Sequence, residues 1–169
     1  MRCYVALGSN LGDRRRNLQA GLEGLTRSGL PPAAVSSVWE TEPVDTAYPD
    51  WFWNMVVMLR SDRDPVDLLE TLLGIERENG RHRTVPNGPR TLDLDLLLVG
   101  DLQIENGKLR LPHPRMWERR FVLEPLAEIA PRLRNPRSGR SVADERLDLS
   151  DRSRVRRLGD LATCRSITL

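Results

Sequence analysis

An α+β fold built on one antiparallel sheet is the architecture this chain predicts, and three observations predict it. Short apolar runs of strand character alternate with segments whose leucines recur at helical spacing. Turn and cap residues separate them at Gly8, Pro31-Pro32, Asp64-Pro65, Asn79-Gly80 and Gly88-Pro89. The order that results is strand-helix-strand followed by strand-helix-strand. Two such split units make a four-stranded antiparallel sheet with their helices on one face, the ferredoxin-like βαββαβ core. Further helical and hairpin segments follow, so helices are expected on its faces, with an added C-terminal hairpin and helix.

The first strand is residues 2–7, RCYVAL, ended by Gly8. The turn Gly8-Ser9-Asn10-Leu11-Gly12-Asp13 leads to a helix that Asp13 can cap. Leu18, Leu22 and Leu25 share one face of that helix, and Ser28-Gly29 with Pro31-Pro32 stops it. The turn could cradle phosphate as a backbone nest. It lacks the Gly-Lys-Ser/Thr ending of a P-loop, which favours a tight strand-to-helix turn instead. Residues 33–40 form a second strand, 41–50 a loop and 51–60 a third strand, WFWNMVVMLR. Asn54 is the polar interruption of that strand, either a satisfied structural amide or the hydrogen-bonding floor of a pocket.

Asp64-Pro65 opens a second helix with a cap and a proline at its first position. Val66, Leu69 and Leu73 give it an apolar stripe that Leu72 and Ile75 widen, and Asn79-Gly80 closes it. The polar loop 81–87 delivers the chain into GPRTLDLDLLL, the stretch around which the rest is organised. A continuous apolar run bounded by Gly88-Pro89 and Gly100 reads as a buried strand, expected to lie centrally in the sheet. Leu92, Leu94 and Leu96 point into a core, while Asp93 and Asp95 share the other face, about 7 Å apart. Two such carboxylates repel each other and resist desolvation. Divalent cations bridging to phosphate oxygens would remove both costs. A solvent-facing pair that protects an edge strand is the alternative.

Residues 102–104 and 109–111 form a hairpin across Glu105-Asn106-Gly107, Pro112-His113-Pro114 makes a rigid corner, and 121–129 is helical. Beyond Asn135 the pattern fades into charge. The expectation there is a partly ordered extension, about 136–169, on one domain covering 1–169, with no chemistry in it.

Composition bounds the function. At 39% hydrophobic and 30% charged residues, this is an ordinary folded protein, and a net charge of +2 does not demand nucleic acid. Lys108 is the sole lysine among 26 basic residues, and arginine is the better bidentate phosphate ligand. Cys3 and Cys164 lack metal-ligand spacing and agree with a reducing compartment. No stretch approaches a membrane span and no signal peptide is read, so cytoplasm is expected.

ALGSNLGD, WNMVV, GPRTLDLDLLL and LPHPR, in that order over about residues 1–135, resemble 6-hydroxymethyl-7,8-dihydropterin pyrophosphokinases. That resemblance implies Mg-dependent transfer of pyrophosphate from ATP to a pterin alcohol, a step of folate biosynthesis, releasing AMP. It implies two magnesium ions on Asp93 and Asp95, and a triphosphate clamped by Arg81, Arg83 and Arg90. His113, Arg119 and Lys108 match nucleotide contacts. Phe52 and Phe121 match the rings that stack the pterin, Asn54 the amide on its edge, and Thr41 with Val44 the backbone-contact loop; Asp93 borders that site too. His82 is expected to be solvated, and Trp51 and Trp53 to fill core or loop contacts. Asn87 stands where some relatives have tryptophan, and Glu42 where some have proline.

The implied partners are ATP and the pterin, with no nucleic acid and no membrane, and a monomer is expected. No fused folate enzyme is expected in a chain of this length, while a transient complex with such enzymes stays open. A nucleotidyltransferase would place its Gly-Ser turn close to its Asp-x-Asp strand, and here Ser9 and Asp93 lie far apart. An RNA-binding module on a similar sheet would show an aromatic stripe on consecutive strands, which this chain lacks.

Overall fold

Strand β1 (Arg2–Ser9) is the axis of the sheet in the computed structural model, which describes residues 1–44, 48–80 and 88–164. It pairs antiparallel with β4 (Phe52–Arg60) on one side, from Arg2↔Arg60 to Ser9↔Trp53, and with β5 (Asp93–Val99) on the other. With β3 (Val38–Thr41) and β8 (Val155–Gly159) the order is β5-β1-β4-β3-β8, and β2 (Ala34–Val35) also pairs with β4. The first four strands of that order reproduce the predicted βαββαβ arrangement. The second predicted strand is broken in two at Ser36-Ser37. There Ser36 Oγ accepts from Val56 N, and Ser37 N and Oγ donate to Glu128.

Alternation along β1 decides which layer each residue joins. Cys3, Val5 and Leu7 face a core with α1 (Arg14–Arg27) and α2 (Pro65–Glu78). Tyr4 and Ala6 face a second core with α3 (Arg120–Ile129) and α4 (Val142–Leu147). Both faces of the sheet are therefore covered. Asp13 caps α1 by accepting from Arg16 N at 3.0 Å, and Asp64 caps α2 by accepting from Val66 N at 2.8 Å. The two helices approach closely because Gly24 faces Ile75: a Cβ there would lie 2.6 Å from Ile75 Cγ2.

Three expectations need correction. The buried row of α2 is Leu68, Leu72 and Ile75, whereas Leu69 and Leu73 are only partly buried and turn toward a cleft. The helix is apolar over two adjacent rows, and periodicity alone does not say which faces the sheet. Second, β5 is an edge strand. Its apolarity comes from helices on both faces and from a covered edge. Leu94 N donates to the buried Glu76 carboxylate at 2.7 Å, and His113 N donates to Leu97 O at 2.9 Å. Third, the extension expected to be only partly ordered carries regular structure through Gly159. Arg134 bridges to Ser141, a Ser141–Asp144 capping box starts α4, and β8 extends the sheet beside β3. The hairpin is where the spacing put it, as β6 (Ile104–Glu105) and β7 (Arg110–Leu111), with the Asn106 side chain bonding Lys108 N and Leu109 N across the turn. Among the described residues, no helix is long and apolar enough to cross a membrane.

Candidate active site

Three neighbouring strands, β4, β1 and β5, carry small or polar residues at one end of one face, and this opens a cavity. Gly8 on β1 lies between Asn54 on β4 and Asp93 on β5, and Ala6 lies between Val56 and Asp95. These short side chains make a flat floor. A Cβ at Gly8 would stand 2.8 Å from Asn54 Oδ1, so glycine is what lets the amide lie across the sheet. The cavity walls include Thr41, Glu42, Val44, Phe52, Arg90, Arg119 and Phe121.

Asn54 has features of both alternatives that the sequence left open. Its Nδ2 donates to Thr41 Oγ1 at 2.7 Å, a structural bond, and the same side chain forms part of the cavity floor. Val44 is partly exposed at the rim. Arg119 lies over the Phe121 ring at 5.4 Å, which places a cation beside one aromatic wall. Trp53 is buried in the core and Trp51 stands outside the cavity lining, as expected for residues that fill structure.

A second cleft lies along β5 and the hairpin, lined by Leu69, Leu73, Lys108, Leu109 and His113 among others. The extra apolar row of α2 finds its use here. Asp95 lines both cavities. Burial pushes the His113 imidazole below its ordinary range, with Arg119 and Arg115 adding to the effect and Asp93 opposing it. The folded state thus favours neutral His113, and its contribution to stability is present at higher pH and lost as the pH falls through the imidazole range.

Arg90 forms an ion pair with Asp93 three residues on. Its backbone is held by a residue 80 positions earlier, just beyond the end of β1: Arg90 N donates to Asn10 Oδ1 at 2.7 Å, and Asn10 N donates to Arg90 O at 3.1 Å. Asn10 is itself buried. The Gly-Ser-Asn turn therefore serves the site by clamping the Gly-Pro-Arg segment. Asn10, Gly8 and Glu76 escaped the sequence reading, although Asn10 stands in the very turn it singled out. Arg81 and Arg83, like His82, Asn87 and the rest of 81–87, lie outside the described residues. Among the described residues no group of three or more His, Cys, Asp and Glu converges as a metal site; Asp93 and Asp95 line the cavity together, with Glu42 at its wall.

Residues 4–131 match the family described as 7,8-dihydro-6-hydroxymethylpterin-pyrophosphokinase. The chain belongs to this family. A Bacillus subtilis 2-amino-4-hydroxy-6-hydroxymethyldihydropteridine pyrophosphokinase is 47% identical over 127 residues, covering 75% of this chain and 76% of the relative. The Pseudomonas aeruginosa protein of the same name is 46% identical over 138 residues, covering 80% and 84%. A mitochondrial folate synthesis bifunctional protein of Arabidopsis thaliana is 41% identical over 125 residues, covering 74% of this chain but 23% of its own length. Among solved structures, wild-type Plasmodium falciparum HPPK-DHPS with pteroate aligns with a TM-score of 0.69 at 12% identity, over 86% of this chain and 44% of that one. That likeness speaks for the fold, and this chain spans less than half the length of the two-enzyme protein. Family membership makes the chain an ATP-dependent pyrophosphokinase of folate biosynthesis.

Proposed function

We propose that the chain transfers pyrophosphate from ATP to the hydroxymethyl group of 6-hydroxymethyl-7,8-dihydropterin, in a magnesium-dependent reaction that releases AMP. The observation that carries this reading is the position of Asp95, common to a flat aromatic-walled cavity and to a neighbouring cleft lined by Lys108 and His113. The pterin suits the first. Phe52 and Phe121 offer faces for its ring, and Asn54 with the Thr41–Val44 backbone reads its edge. The nucleotide suits the second, its base against Leu69, Leu73 and Leu109 and its phosphates toward Lys108, His113 and Arg119.

The carboxylate pair fits magnesium. Asp93 and Asp95 share one strand face and one cavity, and magnesium is typically bound by one or two carboxylates together with substrate phosphates. Two ions held there would neutralise charge on the phosphate oxygens. The chain's own residues do the rest. Arg90, with Arg81 and Arg83, would steady the triphosphate, and the stacking walls would hold the acceptor oxygen toward the β-phosphorus. In the transfer the new bond joins that oxygen to the β-phosphorus, the bond from the β-phosphorus to the α,β-bridging oxygen breaks, and AMP leaves with that oxygen. The hydroxyl proton goes to solvent. Cytoplasmic location and a monomeric, single-domain chain complete the proposal.

Product analysis tests it. With ATP, magnesium and the pterin alcohol, the expected products are AMP and the pterin diphosphate; formation of ADP would contradict the proposal. Gly8→Ala provides a sharper test of the floor. Its Cβ would push the Asn54 amide aside, so pterin affinity should fall about tenfold while nucleotide affinity holds, as expected when a ligand loses one buried hydrogen-bond partner. Calorimetric titration of each ligand separates the two, and equal losses would show a general distortion.

A further inference from the structure

The C-terminal segment lies beyond the residues matched to the family, yet it pairs with Thr41 and Glu42, two residues that line the acceptor cavity. Strand β8 pairs with β3 so that Thr41 stands opposite Val155 and Glu40 opposite Arg156. One residue further along, Glu42 N donates to Arg154 O at 3.0 Å. In return Arg154 N donates to Glu42 Oε1 at 2.7 Å and Arg154 Nε to Glu42 Oε2 at 2.8 Å. Glu42 lines the cavity directly. The same guanidinium lies over the Trp51 ring at 5.0 Å, and Trp51 immediately precedes the stacking residue Phe52. Trp51 O is held in turn by Arg14 at 2.8 Å. Arg154 therefore joins the two ends of the loop that runs from Glu42 to Trp51.

We infer that Arg154 is a positioning residue of the acceptor cavity: by pairing with Glu42 and covering Trp51, it fixes the wall that carries Thr41 and Val44 against the wall that carries Phe52. The inference rests on the proposal that this cavity takes the pterin. It explains Glu42. A proline at that position would offer neither the N–H that meets Arg154 O nor the carboxylate that meets its guanidinium. The hydrogen bond from Arg154 also holds the Glu42 carboxyl below the usual carboxylate range. It gives the extension a part in substrate recognition without touching the reacting atoms. Arg154 is largely exposed, so the contact works by holding Glu42 and Trp51 in place rather than by strong attraction.

The test compares Arg154→Ala, Arg154→Lys and Arg157→Ala. Arg157 lies on β8, three residues after Arg154, but pairs with Glu128, away from the cavity, and so controls for weakening of β8 as a whole. Arg154→Ala should raise the dissociation constant for the pterin about two- to fivefold, the scale of one half-exposed ion pair, and leave that for ATP unchanged. Hydrogen exchange at the Glu42 amide, read without ligand, should quicken in the same variant. Arg154→Lys should restore part of both effects, and Arg157→Ala should show neither. Unchanged pterin affinity in Arg154→Ala, an equal loss for ATP, or the same loss in Arg157→Ala would overturn the inference. A wild-type chain that binds no pterin would overturn the underlying reading as well, an outcome told apart from the others because it appears before any substitution is made.

Discussion

Asp95→Asn is expected to lower turnover by about 100-fold or more while the protein stays folded. Asp95 faces both cavities, so its charge is available to the acceptor side and to the phosphate side at once. An amide of the same shape keeps the packing and removes both that charge and the repulsion from Asp93. On the proposal that Asp95 holds magnesium, lost ligation and lost charge neutralisation during transfer both contribute to this drop. Asp93→Asn should cost a similar factor with a different signature. Asp93 also pairs with Arg90, and its removal frees that arginine from the strand. Steady-state rates over a magnesium titration, with thermal melting as the control for folding, distinguish these effects. Full activity in either folded variant would mark the pair as a surface feature of an edge strand.

Glu76→Ala is expected to cost stability before it costs chemistry. The Glu76 side chain is 2% exposed, and its Oε1 accepts from Leu94 N on the outer edge of β5. Truncation leaves that N–H buried without its partner, a loss of about 1–3 kcal/mol, and opens a cavity between α2 and β5. Leu94 sits between Asp93 and Asp95, so loosening this edge also loosens the carboxylates it separates. Glu76→Gln keeps an acceptor oxygen and should recover most of the loss. Urea denaturation gives the comparison; equal midpoints for Ala and Gln would show that the hydrogen bond contributes little.

The legible part of this molecule was local. Alternation in GPRTLDLDLLL put Asp93 and Asp95 on one face, and the caps Asp13 and Asp64 set their helices where the structure has them. The strand order followed from counting elements, because split βαβ units have few ways to close. What stayed hidden depends on partners far away in sequence. Asn10 gives no sign that it bonds Arg90, a residue on the far side of two helices and three strands. Glu76 reads as one more charge on a helix surface until β5 is set against it. The apolarity of β5 pointed to a central strand because hydrophobicity records burial, and burial at this edge comes from Glu76, from the chain at His113 and from helices on both faces. The extension misled for the opposite reason. Its arginines look solvated, but Arg154, Arg156 and Arg157 each meet a carboxylate, Glu42, Glu40 and Glu128 respectively. The candidate site divides the same way: Thr41, Phe52, Asn54, Asp93, Asp95 and Phe121, all motif positions, line one cavity, while the supports Asn10 and Glu76 gave no signal.

A crystal structure with the pterin alcohol, magnesium and a non-hydrolysable ATP analogue tests the central claim most directly. The pterin should lie between Phe52 and Phe121 over Gly8 and Asn54, and the nucleotide base should lie beside Leu69 and Leu109. Metal should sit at about 2.0–2.1 Å from oxygens of Asp93 and Asp95, with phosphate oxygens completing its shell. A nucleotide base stacked between Phe52 and Phe121, or phosphates bound with no metal at Asp93 and Asp95, would contradict the account.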